Sequence, residues 1–322
     1  MKQADTNPFV YSDTNKRYHT YEYYLRHRFG GKCAKLPLDA GFTCPNIDGT
    51  CGVGGCIYCS DRGSGDFAPR ACLPITEQIA QQKALFAKKW DVSRCIAYFQ
   101  AHTNTYAPLE ILKKNFEEAL SCDHIVGLNV ATRADCLADD VVEYLAELAE
   151  RTVLTVELGL QSSNDRTAQA INRGHSFADF CKGFETLRRA SDRIEICVHL
   201  IFGLPGESRE EMLQSVRDVA DLHPDQVKLH LLHVLRDTAL ASLYQNGAYT
   251  PMERNDYIET VADALEFLPA DVVIGRLTGD GAKDELLAPL WSLKKTTVIN
   301  DIDKLLYERQ SYQGIKQKTA RI

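Results

Sequence analysis

The sequence predicts an α/β chain built as a partial parallel barrel of (β/α)6 type, with an N-terminal arm and a C-terminal extension. Three observations carry that prediction. Short runs rich in apolar and β-branched residues recur along most of the chain. Amphipathic helical patterns separate them, and regular strand–helix alternation implies parallel strands joined by right-handed crossovers. No dinucleotide-type glycine fingerprint follows the first run, which favours a barrel over a doubly wound sheet.

The elements follow in order. Residues 1–32 form an arm whose first sixteen residues lack the apolar stretch of a secretory signal. Within 16–35, Lys16, Arg17, Arg26, Arg28, Lys32 and Lys35 face a single acid, Glu22, and Tyr18, Tyr21, Tyr23, Tyr24 and Phe29 lie between them. Cations interleaved with aromatics suit phosphates and stacked bases; the alternative is that the tyrosines pack the arm onto the barrel. The barrel proper is assigned to 33–278, with strands expected at 33–38, 94–101, 125–131, 152–160, 194–202, 226–234 and 271–276. Between them Val141, Leu145 and Leu148 repeat at helical spacing, as do Met212, Val216 and Val219, and Ile258, Val261 and Leu265. Residues 279–322 are the C-terminal extension, basic through Lys304, Arg309, Lys316, Lys318 and Arg321.

Composition bounds the function. In 322 residues the hydrophobic fraction is 44% and the charged fraction 25%, which excludes disorder over most of the length. The net charge of −7 argues against wholesale coating by nucleic acid, though not against a local basic site. No stretch approaches the ~18 unbroken apolar residues of a membrane helix. A soluble cytoplasmic protein without a membrane partner is expected.

Polar residues gather where the expected strands end: His102 to Thr105, Thr132-Arg133, Gln161-Ser162, Gly203 to Glu207, and His233. The C-terminal strand ends of such barrels form the active-site rim. The chain's eleven cysteines are unevenly spread, and Cys44, Cys51, Cys56 and Cys59 fall within sixteen residues, directly after the first expected strand. The intervening glycines let the backbone fold tightly around a bound object. Four thiolates suit a structural zinc, whereas three suit a [4Fe–4S] cluster with one iron left open. The asymmetric spacing and the position at the rim favour the iron–sulfur reading.

A loop after the first barrel strand that ends in Cys56-Ile57-Tyr58-Cys59 resembles the radical S-adenosylmethionine (radical SAM) superfamily. Cys44-Pro45, Ala131 to Asp135, Glu157 to Ser162 and Asn172 to His175 are similar to the elongator catalytic subunit. Over 33–276, and on into Leu286 to Trp291, the chain most closely resembles the YhcC-type bacterial radical SAM proteins, which lack the elongator's acetyltransferase domain. Cysteine is often missing from the position of Cys51 in those relatives, so the resemblance implies Cys44, Cys56 and Cys59 as cluster ligands. Two departures stand out: the gap after the first cysteine is longer than in the elongator pattern, and Ala131 replaces a glutamate.

The resemblance implies a [4Fe–4S] cluster and S-adenosylmethionine as cofactors, with reductive cleavage to a 5′-deoxyadenosyl radical. It places Thr103, Asn104 and Thr105 near the methionine amino group and Gln161 near the ribose. Arg173 would meet the methionine carboxylate, a group that a guanidinium grips bidentately. Ile201 and Tyr58 would neighbour the adenine, and His199 and His233 complete the implied cofactor contacts; a lone buried histidine is otherwise an ordinary core group. The resemblance further implies tRNA as substrate, acting on the wobble-uridine side chain at a carboxymethylaminomethyl to aminomethyl step, and an electron donor such as flavodoxin or ferredoxin. A radical enzyme acting on a small metabolite or peptide, and a non-catalytic zinc-binding RNA module, are the alternatives.

Overall fold

The computed structural model describes residues 7–63, 65, 67–88, 90–279, 281 and 283–317. Lys318 and Arg321 of the basic tail lie outside this set. Seven strands form one parallel sheet in sequential order: β1 (Ala34–Leu38), β2 (Cys95–Phe99), β3 (Ile125–Thr132), β4 (Val153–Gln161), β5 (Ile194–Phe202), β6 (Gln226–Leu231) and β8 (Val273–Arg276). All seven expected strands are present. The first six lead into helices and the seventh closes the series, so the sheet is a (β/α)6 half-barrel with one added strand. Edges β1 and β8 are not paired with each other. A two-residue strand, β7 (Val234–Leu235), pairs antiparallel with β9 (Leu286–Ala288) and ties the C-terminal extension to the strand-end face.

The crossover helices bury the expected stripes. Helix α4 (Asp139–Arg151) buries Val141, Leu145 and Leu148, α7 (Arg209–Leu222) buries Met212, Val216 and Val219, and α9 (Arg254–Phe267) buries Ile258, Val261 and Leu265. Ser208 caps α7 in a reciprocal box with Glu211, and Ser176 does the same with Asp179 for α6 (Phe177–Ala190). Helix α10 (Lys295–Glu308) packs on α9 through Val298, Ile302 and Leu306. Among the described residues, no helix is long and apolar enough to cross a membrane.

The arm packs onto the barrel, the second of the two readings its aromatics allowed. Thr20 bridges to Ile274 of β8, and its hydroxyl caps α1 (Tyr21–Phe29), which ends at left-handed Gly30. Leu25, Tyr21, Tyr24 and Phe29 pack with Cys33, Ile96 and Val126, residues at the starts of the first three strands. Tyr24 donates to Glu195, near the start of β5, at 2.5 Å. The helix therefore crosses the N-terminal ends of the strands, opposite the cysteine loop. Tyr18 is buried in the main core, and Tyr21 and Tyr24 stack on each other at 5.8 Å. Tyr18 is thereby withdrawn from solvent, whereas Tyr21 and Tyr24 are half-buried against the strand starts. The cations are engaged too: Arg17 is buried, Arg26 makes a bidentate pair with Asp13, Lys32 lies 3.6 Å from Glu22, and Lys35 points into the barrel.

Candidate active site

The cysteine loop leaves the C-terminal end of β1 and folds on its own backbone. The Ile47 and Asp48 amides donate to the Cys44 carbonyl, the Cys51 amide to Pro45, and the Cys59 amide to Cys56. Asn46, fully buried, is the pivot: its side-chain nitrogen donates to the Asn172 carbonyl and lies 3.7 Å from Cys56 Sγ. A Cβ on Gly52 would fall 2.4 Å from Asn46 Oδ1, and one on Gly174 (φ +79°) 2.7 Å from it. Both glycines are thus required for this closure. Asn172 donates to the Gly55 and Val53 carbonyls, and the Ile57 amide donates to Ile171. The segment after β4 is clamped onto the cysteine loop.

That clamp brings Arg173 to the cysteines. Its Nη1 lies 4.0 Å from Cys56 Sγ, and Nη2 donates to the Gly159 carbonyl on β4. Arg133, paired bidentately with Asp135 at 2.8–2.9 Å, donates to the Arg173 carbonyl. A hydrogen bond from the Cys59 thiol, with help from Arg173, Tyr58 and Arg133, pushes Cys56 down to about 5. The same shared proton and burial push Cys59 up. Cys56 is therefore readily a thiolate, the form that binds metal. Cys44 is half-buried and Cys51 exposed.

Gln161 ends β4 at φ +77°, beside a register shift against β5. A Cβ on Gly159 would meet Gln161 Nε2 at 2.8 Å and Arg173 Nη2 at 3.0 Å. Gln161 Oε1 and Arg173 Nε are buried without a hydrogen-bond partner among the described residues. Such groups are costly unless a ligand satisfies them. Three thiols on one loop, a cationic neighbour and two orphaned polar atoms fit a thiolate-held cluster with a polar, carboxylate-bearing cofactor beside it.

The other expected residues divide. Thr103, Asn104 and Thr105 are buried, but their groups are used within the protein. The Thr103 amide donates to Thr43, Asn104 Nδ2 donates to the Ala101 and Ala131 carbonyls, and Thr105 Oγ1 meets Thr132 Oγ1 at 2.5 Å and donates to the Cys136 carbonyl. They knit three loops together, and Asn104 Oδ1 is left unpaired. Tyr58, Gln161, His199, Ile201 and His233 all line one cavity of about 660 Å³. The cavity reaches from Cys59 down to α1 and is bounded by both sheet edges, through Lys35 and Pro37 on one and Gly275 and Arg276 on the other. Phe67 and Trp90 on its lip are about half exposed.

Sequence reasoning missed the cavity's floor. Glu157, completely buried, accepts from Lys35 Nζ (2.5 Å), Lys228 Nζ, His199 Nε2 (2.9 Å) and Asn129 Nδ2 (2.8 Å). His199 thus commits a ring nitrogen to Glu157, and burial next to Lys228 pushes it down to about 4, leaving it neutral. Burial pushes Lys35 down to about 7, and Lys228 adds to the shift. Although desolvation opposes it, the two ammoniums hold Glu157 well below the usual carboxylate range. The signal was available: Lys35, Glu157, His199, Lys228 and His230 interrupt apolar strands at inward-facing positions.

A family model described as the Radical SAM superfamily matches residues 48–219, and one described as the Radical_SAM C-terminal domain matches 224–308. The chain is 47% identical over 308 residues to protein YtqA of Bacillus subtilis, covering 96% of this chain and 95% of that one. It is 37% identical over 285 residues to protein YhcC of Escherichia coli, covering 88% and 90%. A tRNA uridine(34) acetyltransferase of Methanocaldococcus jannaschii is 25% identical over 204 residues, covering 61% of this chain and 35% of that one. The solved structure of Methanocaldococcus infernus Elp3 superposes with a TM-score of 0.66 at 19% identity, covering 87% of this chain and 64% of that one.

Proposed function

Because the chain belongs to the radical SAM superfamily, whose enzymes use S-adenosylmethionine and a [4Fe–4S] cluster, we propose that it modifies the carbon-5 side chain of the wobble uridine in tRNA. The step proposed is conversion of a carboxymethylaminomethyl to an aminomethyl group. Family membership removes the alternative of a non-catalytic zinc module.

The observation that carries this reading is the cavity. Its volume of about 660 Å³ lies within the ~300–1,000 Å³ of small-molecule sites and is large enough to admit a single base. Exposed Phe67 and Trp90 line its lip and offer ring faces to an unstacked nucleotide, and Lys32, in an exposed pair with Glu22, lines the same cavity. A base embedded in a stem cannot reach a buried reaction centre, so the target must leave its stack. The similarity to a tRNA uridine(34) acetyltransferase supports the choice of base.

In this reading Cys44, Cys56 and Cys59 hold the cluster, and Gln161 and Arg173 orient the cofactor. Together the bound groups supply one-electron chemistry able to abstract a hydrogen atom from an unactivated carbon. Arg173 fixes a carboxylate beside Cys56, Asn46 and Arg133 hold Arg173 in place, and Tyr58 and Ile201 keep water from the cavity wall. An electron donor of flavodoxin or ferredoxin type would reduce the cluster. The test is nucleoside analysis of tRNA from cells with and without the gene. Accumulation of the carboxymethylaminomethyl form is expected, and unchanged nucleosides would redirect the search to small metabolites and peptides.

A further inference from the structure

We propose that Lys35 and Lys228, held about Glu157 on the cavity floor, form a subsite that recognises a free carboxylate on the substrate's side chain. The inference rests on the tRNA reading for its substrate, but the residues that carry it are separate from those that hold the cofactors.

The strand register puts the site together. Glu157 on β4 lies level with Cys197 on β5, and one residue pair further up His199 lies level with Lys228 on β6. Lys35 reaches in from β1, an edge strand, and Lys228 from β6, the strand next to the other edge, so the two lysines approach one carboxylate from opposite sides of the half-barrel. Tyr98 lies between them, its ring 3.9 Å from Lys35 Nζ and 4.9 Å from Lys228 Nζ. This fixes both ammoniums with their heads toward the cavity. Gly275 leaves room for the Lys228 stem, since a Cβ there would come within 3.0 Å of it. Both lysines line the cavity, and Arg276 lines it with them.

Charge decides the ligand. Two ammoniums share Glu157, while half-buried Glu195 accepts from Tyr24, Thr155 and Gln226, and Glu22, the other acid at this cavity among the described residues, is exposed and paired with Lys32. Burying an ion costs several kcal/mol unless it is paired, so one carboxylate for two lysines leaves the floor with an excess of positive charge once both are protonated, as Lys35 is below about 7. A second anion offsets it; a cation does not. The donor atoms of Glu157, Cys197 and His199 lie within 4.8 Å of one another, as metal ligands would. A metal ion there would have to displace two ammoniums from Glu157, so the cluster selects against cations.

The methionine carboxylate of the cofactor is not the ligand meant. Gln161 stands four residues beyond Glu157 on β4, about 13 Å along the strand, and Arg173 touches Cys56 rather than the floor. A substrate group entering below the cofactor would meet Lys35 and Lys228 first. A side chain that ends in a carboxylate is held there, and one that ends in an amine is repelled. The same charge that admits the acid favours release of an aminomethyl product.

The experiment measures binding of anticodon stem-loop RNAs to the anaerobic holoenzyme. The loops carry a carboxymethylaminomethyl uridine, its neutral carboxamide, or plain uridine. The acid is expected to bind at least tenfold more tightly than the carboxamide, and Lys228→Met to reduce that preference to within twofold. Lys228→Arg, which keeps the charge, should retain most of it and serves if the methionine variant does not fold. If the RNAs bind but acid and carboxamide are equal, the subsite is wrong and the tRNA reading stands. If no RNA binds, the tRNA reading falls, and N-benzylglycine against its carboxamide becomes the probe. Preference for the acid, lost in Lys228→Met, then keeps the subsite, and equal binding discards it.

Discussion

Arg173 joins three things the site needs: it lies against Cys56, it bonds the end of β4 through Gly159, and its Nε has no partner among the described residues. Replacing it with Ala should weaken S-adenosylmethionine binding by ~1.5–3 kcal/mol, as for a charge-assisted hydrogen bond, while iron content is retained. Equilibrium binding to reconstituted protein checks this, and undiminished affinity would remove Arg173 from the cofactor site. Among the cysteines, Ala at Cys44, Cys56 or Cys59 should abolish iron and sulfide in anaerobically purified protein. Exposed Cys51, whose amide rather than thiol holds the loop, should tolerate Ala. Equal loss in all four variants would restore four-thiolate binding. Lys35 makes a different forecast. Its folded value of about 7 lies below its ordinary 10.5, so between these values the unfolded chain binds more protons. Stability therefore rises with pH across that window, by on the order of a few kcal/mol, and the burden is constant below it. Lys35→Met should flatten the rise in denaturant midpoints measured between pH 7 and 10.

At the scale of elements, α1 behaves as a plug for the barrel rather than as an arm. Leu25 inserts at the strand starts, so Leu25→Ala should cost ~2–4 kcal/mol. Tyr24→Phe leaves buried Glu195 short of a donor and should cost ~1–3 kcal/mol. Urea unfolding of both variants checks the assignment; a free arm would show neither loss. The strands and crossover helices were legible because apolar periodicity reports burial directly: Val141, Leu145 and Leu148 could face only a core. The cysteine loop was legible because thiolate spacing is local. The arm was not, since six cations and five aromatics read the same way whether the rings face RNA or the bottom of a barrel. Only tertiary contacts such as Leu25 with Ile96 separate those cases. The same holds for Thr103 to Thr105, whose amide and side-chain partners, Thr43, Ala131 and Cys136, come from loops that only the fold brings together. Glu157 stayed hidden inside the motif that carried the resemblance, because its partners come from β1, β3, β5 and β6.

At the scale of the whole molecule, the proposed tRNA substrate would require an acidic chain to hold a polyanion through a restricted surface. The arm cannot supply all of it, because Arg17 is buried, Lys16 pairs with Asp303, Arg26 with Asp13 and Lys35 with Glu157, which leaves Arg28 and Lys32, the latter in an exposed 3.6 Å pair with Glu22, as its contribution. Few neutralised phosphates mean few released counterions, so the salt dependence of tRNA binding should be shallow for a nucleic-acid partner. Affinity must then come from rings at the cavity lip. Trp90 and Phe67 are large, apolar and about half exposed, an arrangement that is unfavourable in water unless something covers them. Each stacked base contributes ~1–3 kcal/mol by alanine substitution. Trp90→Ala should therefore weaken binding of an anticodon stem-loop by that amount without changing its salt slope, whereas Lys32→Glu should reduce the slope. Unfolding midpoints equal to wild type would confirm that both variants are folded. The measurement is stem-loop affinity across a series of salt concentrations for wild type and the two variants. Unchanged affinity in Trp90→Ala would move the RNA away from this lip, and a steep wild-type slope would mean that a larger cationic surface than Arg28 and Lys32 takes part.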